Sequence, residues 1–236
     1  MLYYYATNTW GGGGRMKQVQ KDAVCFVVGA GCVAPDLRLS VCRNDLLIAA
    51  DAGWLTVEKM GLDPHLVVGD FDSLGHRPDH PNTVTLPTVK DDTDMHAAIK
   101  LGLERGYTRF ALYGGTGGRL AHTLANLQLL DGLAQQGCRG FLVGDGTVAT
   151  AVYNGVLDFP DCMKGYISVF CASGTAKGVT LSGLKYELDG AELTGSFPLG
   201  VSNEFTGRSA RVSVENGTLL VLWQANDEEE NLLRTL

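Results

Sequence analysis

The sequence predicts an α/β protein in two parts: an N-terminal, mostly parallel α/β sheet domain and, after it, a smaller antiparallel β-sandwich or barrel domain. Two observations carry this prediction. Between residues 24 and 146, short apolar runs alternate with helix-like segments, which is typical of a parallel sheet with crossover helices. After about residue 150, β-branched runs are separated by Gly, Asn and Ser, as in antiparallel strands joined by turns.

Six apolar runs in the first part have the length of short buried strands. Several of them end in Gly or Asp. Because the strands of an open parallel sheet bind ligands at their carboxyl ends, these terminal residues are the first candidates for a functional site. The runs are VCFVVG (24–29), LLIAAD (46–51), HLVVGD (65–70), TVTLP (83–87), RFALYGG (109–115) and GFLVGD (140–145).

Three segments between these runs have helical periodicity. In the second segment Met95, Ile99 and Leu103 recur at intervals of four, and Gly106 is a suitable C-terminal stop. The third carries a stripe of leucines, which predicts a buried face. The segments are AGWLTVEKMG (52–61), TDMHAAIKLGLERG (93–106) and RLAHTLANLQLLDGLAQQG (119–137), and the stripe is Leu120, Leu124, Leu127 and Leu130.

The second part offers ISVFCA, GVTLSGL, ARVSVENG and LLVLW as strands, and a helix only at the terminal DEEENLLRTL. No Pro/Ser-rich linker separates the two parts, which predicts that they pack closely. We therefore expect a flexible N-terminal extension over 1–20, an α/β domain over 21–148 and a β domain over 149–236.

Composition excludes several classes of protein. The chain has 236 residues, 45% of them hydrophobic, and a formal net charge of −7. The hydrophobic content is enough for a packed core, and the acidic balance gives no broad footing for a nucleic acid. No apolar run is long enough to predict a membrane span. The six cysteines form no C-x-x-C pair, so we expect a reducing, cytoplasmic setting.

Three acidic positions follow predicted strands: Asp51, the pair Asp70 and Asp72, and Asp145. Residues i and i+2 of a strand face the same way, so the paired aspartates converge if the strand continues through them. Two converging carboxylates suit Mg²⁺, which prefers oxygen ligands and keeps waters and phosphates in its shell. The alternative is an ordinary turn, because Asp and Ser are common turn residues.

The KDDTD segment (90–94) opens a predicted helix. Asp92 or Thr93 suits the N-cap, and Asp94 in the first turn favours the helix dipole. A helix N-terminus also supplies amides to a phosphate, in which case Asp94 completes a metal shell and Lys90 meets the phosphate. Lys90 is otherwise an ordinary surface lysine.

A glycine-rich loop lies in YGGTGGRLAHTLAN (113–126), between a predicted strand and a predicted helix. Backbone amides can approach a phosphate there, although the loop is neither a Walker A nor a G-x-G-x-x-G motif. Arg119, His122 and Asn126 share the helix face opposite the leucines. Arg119 suits a phosphate, whereas His122 is equally explained as a surface histidine.

In the second part, the turn GVSNEF (200–205) is an ordinary loop by itself, and Trp223 is explained by core packing. Taken together, however, the segments resemble the thiamine pyrophosphokinase family. The resemblance rests on DAGW (51–54), PHLVVGDFDSL (64–74), KDDTD (90–94), GGRLAH (117–122) and SNE (202–204), in that order, and it spans residues 24 to 223.

The resemblance implies an ATP-dependent enzyme, a homodimer with two sites between subunits, and transfer of a pyrophosphoryl group from ATP to thiamine, giving AMP and thiamine diphosphate. It implies Mg²⁺ as cofactor and thiamine and ATP as partners. It also implies that 21–148 is the nucleotide- and metal-binding catalytic domain, and that 149–236 contributes thiamine binding and dimerisation. The implied Mg²⁺ ligands are Asp70, Asp72 and Asp94, with Arg119 at the phosphates. The implied nucleotide-side residues are Asp51, Gly53, Ser73, Lys90, Thr93, Gly117, Gly118, His122 and Asn126. The implied thiamine contacts are Ser202, Asn203 and Trp223, the last stacking from the neighbouring subunit.

One residue departs from the family pattern. Ala121 stands in GGRLAH where the family has an aspartate near the metal or the thiamine hydroxyl. Three interpretations are open: a weak enzyme, substitution by His122 or Asp145, or an introduced change. The competing functions are a catalytically impaired thiamine- or nucleotide-binding homologue, a pyrophosphokinase of a related alcohol such as a pterin, and a D-x-D transferase using nucleotide sugars. The last leaves the TD and GGR segments unexplained.

Overall fold

A computed structural model of the chain describes residues 22–88, 91–144, 146–225 and 233–235. The predicted extension over 1–20, Lys90 and Asp145 lie outside these ranges. In chain order, the elements are β1 (Cys25–Val28), β2 (Leu46–Ala50), α1 (Gly53–Lys59), β3 (Leu66–Gly69), β4 (Thr83–Thr85), α2 (Asp94–Glu104), β5 (Arg109–Tyr113), α3 (Leu120–Gln135), β6 (Arg139–Gly144), β7 (Thr147–Tyr153), β8 (Val156–Phe159), β9 (Tyr166–Cys171), β10 (Thr175–Ser182), β11 (Leu188–Thr194), β12 (Gly200–Glu204), β13 (Ala210–Ser213) and β14 (Thr218–Gln224).

The first six strands form the parallel half of a ten-stranded sheet, in the spatial order β6-β5-β1-β2-β3-β4. The chain builds outward from β1 to β4 on one side, then returns to place β5 on the other side of β1. The boundary between β1 and β5 is therefore the topological switch point of the sheet, where an open α/β sheet leaves a crevice at its carboxyl edge. The predicted parallel α/β part is confirmed.

The same sheet continues through antiparallel β7, β14, β9 and β12, so one sheet spans both predicted parts. A separate antiparallel sheet, in the order β11-β10-β13-β8, packs over this extension. The second part is thus sandwich-like, as predicted. The predicted boundary after residue 148 falls inside β7 (147–153).

The helices cover both faces of the parallel half. Val57 of α1 belongs to a core that runs from β1–β3 to the second sheet. On the opposite face, Ile99 of α2 and Leu130 of α3 pack against alternate residues of the same strands. Burying both faces explains why β1, β2 and β3 are continuous apolar runs instead of alternating ones.

The predicted leucine stripe on α3 is only half right. Leu130 is fully buried, but Leu120 and Leu124 are 73% and 55% exposed. The reason is position: the first two turns of α3 border a cavity beyond the sheet edge, and the later turns lie on the sheet. Sequence reasoning also missed four strands, β7, β8, β11 and β12.

The chain end folds back onto the first part. Leu233 is buried, and Arg109 Nη1 donates to its carbonyl at 2.9 Å. Arg234 Nη2 donates to buried Asp45 Oδ2 at 2.8 Å. Within the described residues, no helix is long and apolar enough to cross a membrane.

Candidate active site

A cavity of about 720 Å³ opens at the switch point. The loops after β1, β2, β3 and β5 form its walls, together with the first turns of α2 and α3. These are the carboxyl ends of parallel strands and the N-termini of helices, so unpaired amides and acidic side chains meet there. The predicted residues that line it are Asp51, Asp70, Asp72, Ser73, Thr93, Asp94, Gly118, Arg119, His122 and Asn126.

Three carboxylates converge in this cavity. Asp51, Asp70 and Asp94 each offer one oxygen, and the three oxygens lie within 4.8 Å of one another. Asp51 Oδ2 accepts a hydrogen bond from Ser73 Oγ, whereas its Oδ1 is buried and has no hydrogen-bond partner among the residues that the structure describes. Buried polar atoms are normally satisfied. An unpartnered buried oxygen beside two more carboxylates therefore fits a hard divalent cation.

Asp72 lines the cavity but is not in this cluster of three. β3 ends at Gly69, and Phe71, which is 3% exposed, has a left-handed φ of 60°. This conformation breaks the strand alternation on which the predicted convergence rested. Asp72 instead donates its N–H to Asp70 Oδ1 at 3.3 Å. Asp72 lies in a turn, and Asp51 takes the third place in the cluster. The predicted metal role of Asp72 stays a prediction.

The N-terminus of α2 is fixed by its own side chains. Thr93 is the N-cap, and its hydroxyl accepts from His96 N–H at 3.2 Å. Asp92 accepts from Lys100 Nζ at 2.5 Å and pairs with His96 Nδ1 at 2.9 Å. The Lys100 bond, helped by His96, outweighs burial and lowers the pKa of Asp92. This network sets the turn that presents Asp94 to the cavity.

The glycine-rich loop after β5 is held against the loop after β1. Gly31 N–H donates to Gly114 C=O at 2.8 Å, and Cys32 N–H to Thr116 C=O at 3.1 Å. Gly114 has a φ of 64°, and a Cβ there would lie 2.3 Å from Gly29 O. Buried Asn126 donates its Nδ2 to Gly115 C=O at 2.8 Å. Asn126, a predicted nucleotide-side residue, therefore holds the glycine-rich loop in place.

Arg119 and His122 both face the cavity from the start of α3, as their shared helix face predicts. Ala121 is exposed between them and is not among the lining residues. Gly117 is exposed with a φ of 73°, next to Gly118 in the wall. An arginine, a histidine and a glycine loop around three carboxylates can receive a metal-bound polyphosphate.

Gly53 has a packing role and is not among the residues that line the cavity; its predicted ligand role stays a prediction. It is the first residue of α1, and a Cβ there would lie 1.9 Å from Val28 O. A side chain at this position would push α1 away from β1. Gly53 thereby allows α1 to start directly under the cavity floor, next to Asp51.

The predicted thiamine contacts lie elsewhere in the chain: none of Ser202, Asn203 and Trp223 lines the cavity. Trp223 is 2% exposed and packs edge-to-face on Phe159, with ring centroids 5.2 Å apart. This burial argues against the predicted stacking on thiamine and favours core packing. Asn203 is 3% exposed, whereas Ser202 is exposed with a φ of 58°.

Gly29 and Thr116 are among the wall residues that were not predicted from the sequence. Gly29 follows β1, and Thr116 lies within the glycine-rich loop. The Thr116 hydroxyl is buried and has no hydrogen-bond partner in the described part of the chain. The signal for Gly29 was its place after the first predicted strand, at the same edge as Gly114. No pattern in GGTGG marked the threonine.

Comparisons with known proteins agree with this arrangement. Two adjacent profiles match: "Thiamin pyrophosphokinase, catalytic domain" over residues 38–142 and "Thiamin pyrophosphokinase, vitamin B1 binding domain" over residues 156–219. A thiamine pyrophosphokinase of Bacillus subtilis is 29% identical over 195 residues, covering 80% of this chain and 91% of the relative.

Solved structures show the same likeness. The crystal structure of the Bacillus subtilis thiamine pyrophosphokinase superposes with a TM-score of 0.76 at 28% identity, covering 86% of this chain and 99% of the other. The thiamin pyrophosphokinase of Geobacillus thermodenitrificans gives 0.75 at 29% identity, covering 86% and 98%. The Candida albicans thiamin pyrophosphokinase, at 14% identity, a TM-score of 0.70 and coverage of 86% and 89%, shares the fold.

Proposed function

The chain belongs to the thiamine pyrophosphokinase family, and from that premise we propose that it transfers the pyrophosphoryl group of ATP to the hydroxyethyl oxygen of thiamine. The products are thiamine diphosphate and AMP. The observation that carries the proposal is the buried Oδ1 of Asp51, which has no hydrogen-bond partner within the described ranges and lies beside Asp70 and Asp94 in the cavity at the switch point.

The reaction exchanges one bond to phosphorus for another. The thiamine hydroxyl oxygen forms a bond to the β-phosphorus of ATP. The bond from that phosphorus to the oxygen that bridges to the α-phosphate breaks, and its electron pair leaves with AMP. Phosphoryl chemistry asks the protein mainly to position the two substrates and to stabilise charge.

Asp51, Asp70 and Asp94 would hold Mg²⁺, which when bound would neutralise the triphosphate and the charge that develops during transfer. Arg119 and the amides of Gly117 and Gly118 are assigned to the phosphates. Asp72, exposed at the rim, stays a predicted metal ligand. This division leaves the open side of the cavity to the acceptor alcohol.

The hydroxyl proton needs an acceptor, and Ala121 cannot provide one. His122 follows it directly and lines the cavity. We assign the role to His122, because a neutral imidazole accepts a proton near neutral pH. The departure from the family pattern at Ala121 is then a shift of the base by one residue along α3.

The active form is proposed to be a homodimer. Ser202 does not line the cavity of its own chain, so it reaches a cavity only if a second subunit supplies it. Three apolar residues just before it are exposed: Phe197 by 64%, Leu199 by 48% and Val201 by 50%. Exposed apolar patches of this kind mark protein interfaces. Mixing inactive Asp70→Asn with inactive Ser202→Ala subunits should restore activity, since one site per mixed dimer is intact.

The test of the proposed function is incubation with ATP, Mg²⁺ and thiamine, with AMP and thiamine diphosphate measured by chromatography. We expect equal amounts of the two products, and none when Mg²⁺ or thiamine is omitted. A pterin alcohol and a nucleotide sugar serve as competing substrates. AMP formation with the pterin alone would reassign the acceptor, and thiamine binding without any AMP would leave a binding protein.

A further inference from the structure

The side chain of Asn203 hydrogen-bonds to both the N–H and the C=O of Tyr186. Its Oδ1 accepts from Tyr186 N–H at 2.9 Å, and its Nδ2 donates to Tyr186 C=O at 2.7 Å. The same Oδ1 also accepts from Glu204 N–H at 2.9 Å. These bonds use both acceptor positions of the amide oxygen and one of its two donors. A side chain that is 3% exposed and makes three hydrogen bonds to the backbone stabilises the structure of the protein itself.

Tyr186 is the residue that these hydrogen bonds present to solvent. Its ring is 59% exposed, although its backbone is fixed at N–H and C=O. Lys185 N–H donates to Glu204 C=O at 3.0 Å, and Leu184 pairs with Phe205, so the segment runs antiparallel beside the end of β12. Because the backbone of Tyr186 is already ordered, a ligand that contacts its exposed ring does not have to order that backbone.

The neighbouring Ser202 is strained. The pairing of β12 with β9 shifts register between Gly200 and Asn203, and Ser202 has a left-handed φ of 58° inside this bulge. Its N–H donates to Ser168 Oγ at 3.1 Å. Bulges and non-glycine residues in this conformation cluster at functional sites, where they re-aim a side chain. Ser202 and Tyr186 are thus the exposed residues of this region. Asn203 and Ser168 hydrogen-bond to their backbones.

We propose that Asn203 is a positioning residue, and that the ring of Tyr186 makes the thiamine contact that the sequence pattern suggests for Asn203. The proposal rests on the proposed function. Thiamine carries a neutral aminopyrimidine and a cationic thiazolium. Lys185 Nζ is paired with Glu204 Oε1 at 2.6 Å and lies 5.5 Å from the centre of the Tyr186 ring, so this ring already has a cation beside it. The aminopyrimidine is therefore the ring that stacks on Tyr186.

The test is a double-mutant cycle on thiamine, with KM for ATP measured alongside. Tyr186→Ala is expected to raise KM for thiamine roughly five- to tenfold, in keeping with the worth of one stacking contact. Tyr186→Phe and Tyr186→Trp keep a ring and should stay within about twofold of the wild type. Asn203→Ala should raise the same KM, and it should add nothing in a Tyr186→Ala background, because both changes remove one contact.

Asn203→Asp covers the case in which Asn203→Ala does not fold. It keeps the acceptors for Tyr186 N–H and Glu204 N–H, but it replaces the donor to Tyr186 C=O by an acceptor and adds a charge. Tyr153→Ala is the matched control: Tyr153 is 44% exposed at the end of β7, and its loss should change nothing. Sedimentation of every variant separates a substrate contact from a subunit contact.

Three results would overturn the proposal: additive effects of the two substitutions, an unchanged KM for thiamine in Tyr186→Ala, or dissociation of the Tyr186→Ala dimer. If the wild type makes no AMP but binds thiamine, only the proposed reaction is refuted. The same double-mutant cycle can then be measured by calorimetry, with Kd for thiamine in place of KM. A wild type that neither reacts with nor binds thiamine refutes both.

Discussion

At the residue scale, Phe71 decides which carboxylates can share a cation. Its ring is anchored in the core and its φ is 60°, so Asp70 and Asp72 leave the turn in different directions. Asp51, on the neighbouring strand, also has a positive φ, 51°. Two strained residues at adjacent strand ends thus assemble the acidic cluster, and strain of this kind is held in place by the surrounding packing.

Asp51→Asn tests the cluster at this scale. Removing one ligand should lower kcat at least about a hundredfold, because the charge on the triphosphate is then poorly stabilised. Without Mg²⁺, its melting temperature should equal or exceed that of the wild type, since three close carboxylates repel one another. Mg²⁺ alone should raise the melting temperature of the wild type and not that of the variant. Asp189 is exposed on β11, and Asp189→Asn is the control. A similar loss of activity in Asp189→Asn would contradict the assignment of Asp51 to the metal site.

His122→Ala tests the assignment of the proton acceptor. Loss of a general base costs typically 10² to 10⁴ in rate, so kcat should fall about a hundredfold with KM for ATP unchanged. Adding Ala121→Asp in the same chain should restore part of the rate by returning a carboxylate to the family position. Unchanged turnover in His122→Ala would exclude His122 as the base.

At the element scale, the loops after β1 and β5 work as one wall. Gly114→Ala places a Cβ 2.3 Å from Gly29 O in a left-handed conformation. We expect a loss of at least about 1 kcal/mol in unfolding free energy and a higher KM for ATP. Gly132→Ala, where a Cβ meets nothing within 4 Å inside α3, should instead stabilise by about 0.5–1 kcal/mol. Urea denaturation of both variants measures the contrast.

The helices, and the strands of the parallel half, were predictable because burial on both faces leaves continuous apolar runs and because amphipathic helices have a clear period. β11 was not, because its exposed residues, such as Asp189 and Glu192, interrupt any apolar pattern. Of the site, the strand-end acids were predictable and the choice between Asp51 and Asp72 was not. That choice depends on the φ of Phe71, which no residue pattern encodes.

At the scale of the whole molecule, Arg234 near the chain end forms an ion pair with Asp45 of the first part. Burial alone would raise the pKa of this carboxyl, but hydrogen bonds from Arg234 and from the N–H groups of Val24 and Cys42 outweigh it, so the pKa is lowered. A depressed pKa in the folded state means that the unfolded state binds more protons. The stability from this group is therefore present above its unfolded pKa of about 3.9, and it is lost as pH falls through the lower folded value.

Arg234→Met should lower the free energy of unfolding at pH 7 by about 2–3 kcal/mol, because it leaves a buried carboxylate without its cation. The deficit should shrink as pH falls below about 4, where Asp45 in the variant is already protonated. Denaturation curves at pH 7 and below pH 4 measure this difference. The same deficit at both pH values would show that Arg234 acts through packing alone.

The central claim is that the β- and γ-phosphates of ATP move together to thiamine. The most direct measurement uses ATP labelled at the β-phosphorus, with Mg²⁺ and thiamine, and follows the label by chromatography. Transfer of pyrophosphate places the label in thiamine diphosphate and leaves AMP unlabelled. Label retained in ADP, with thiamine monophosphate as the other product, would mean transfer of a single phosphoryl group and would contradict the account.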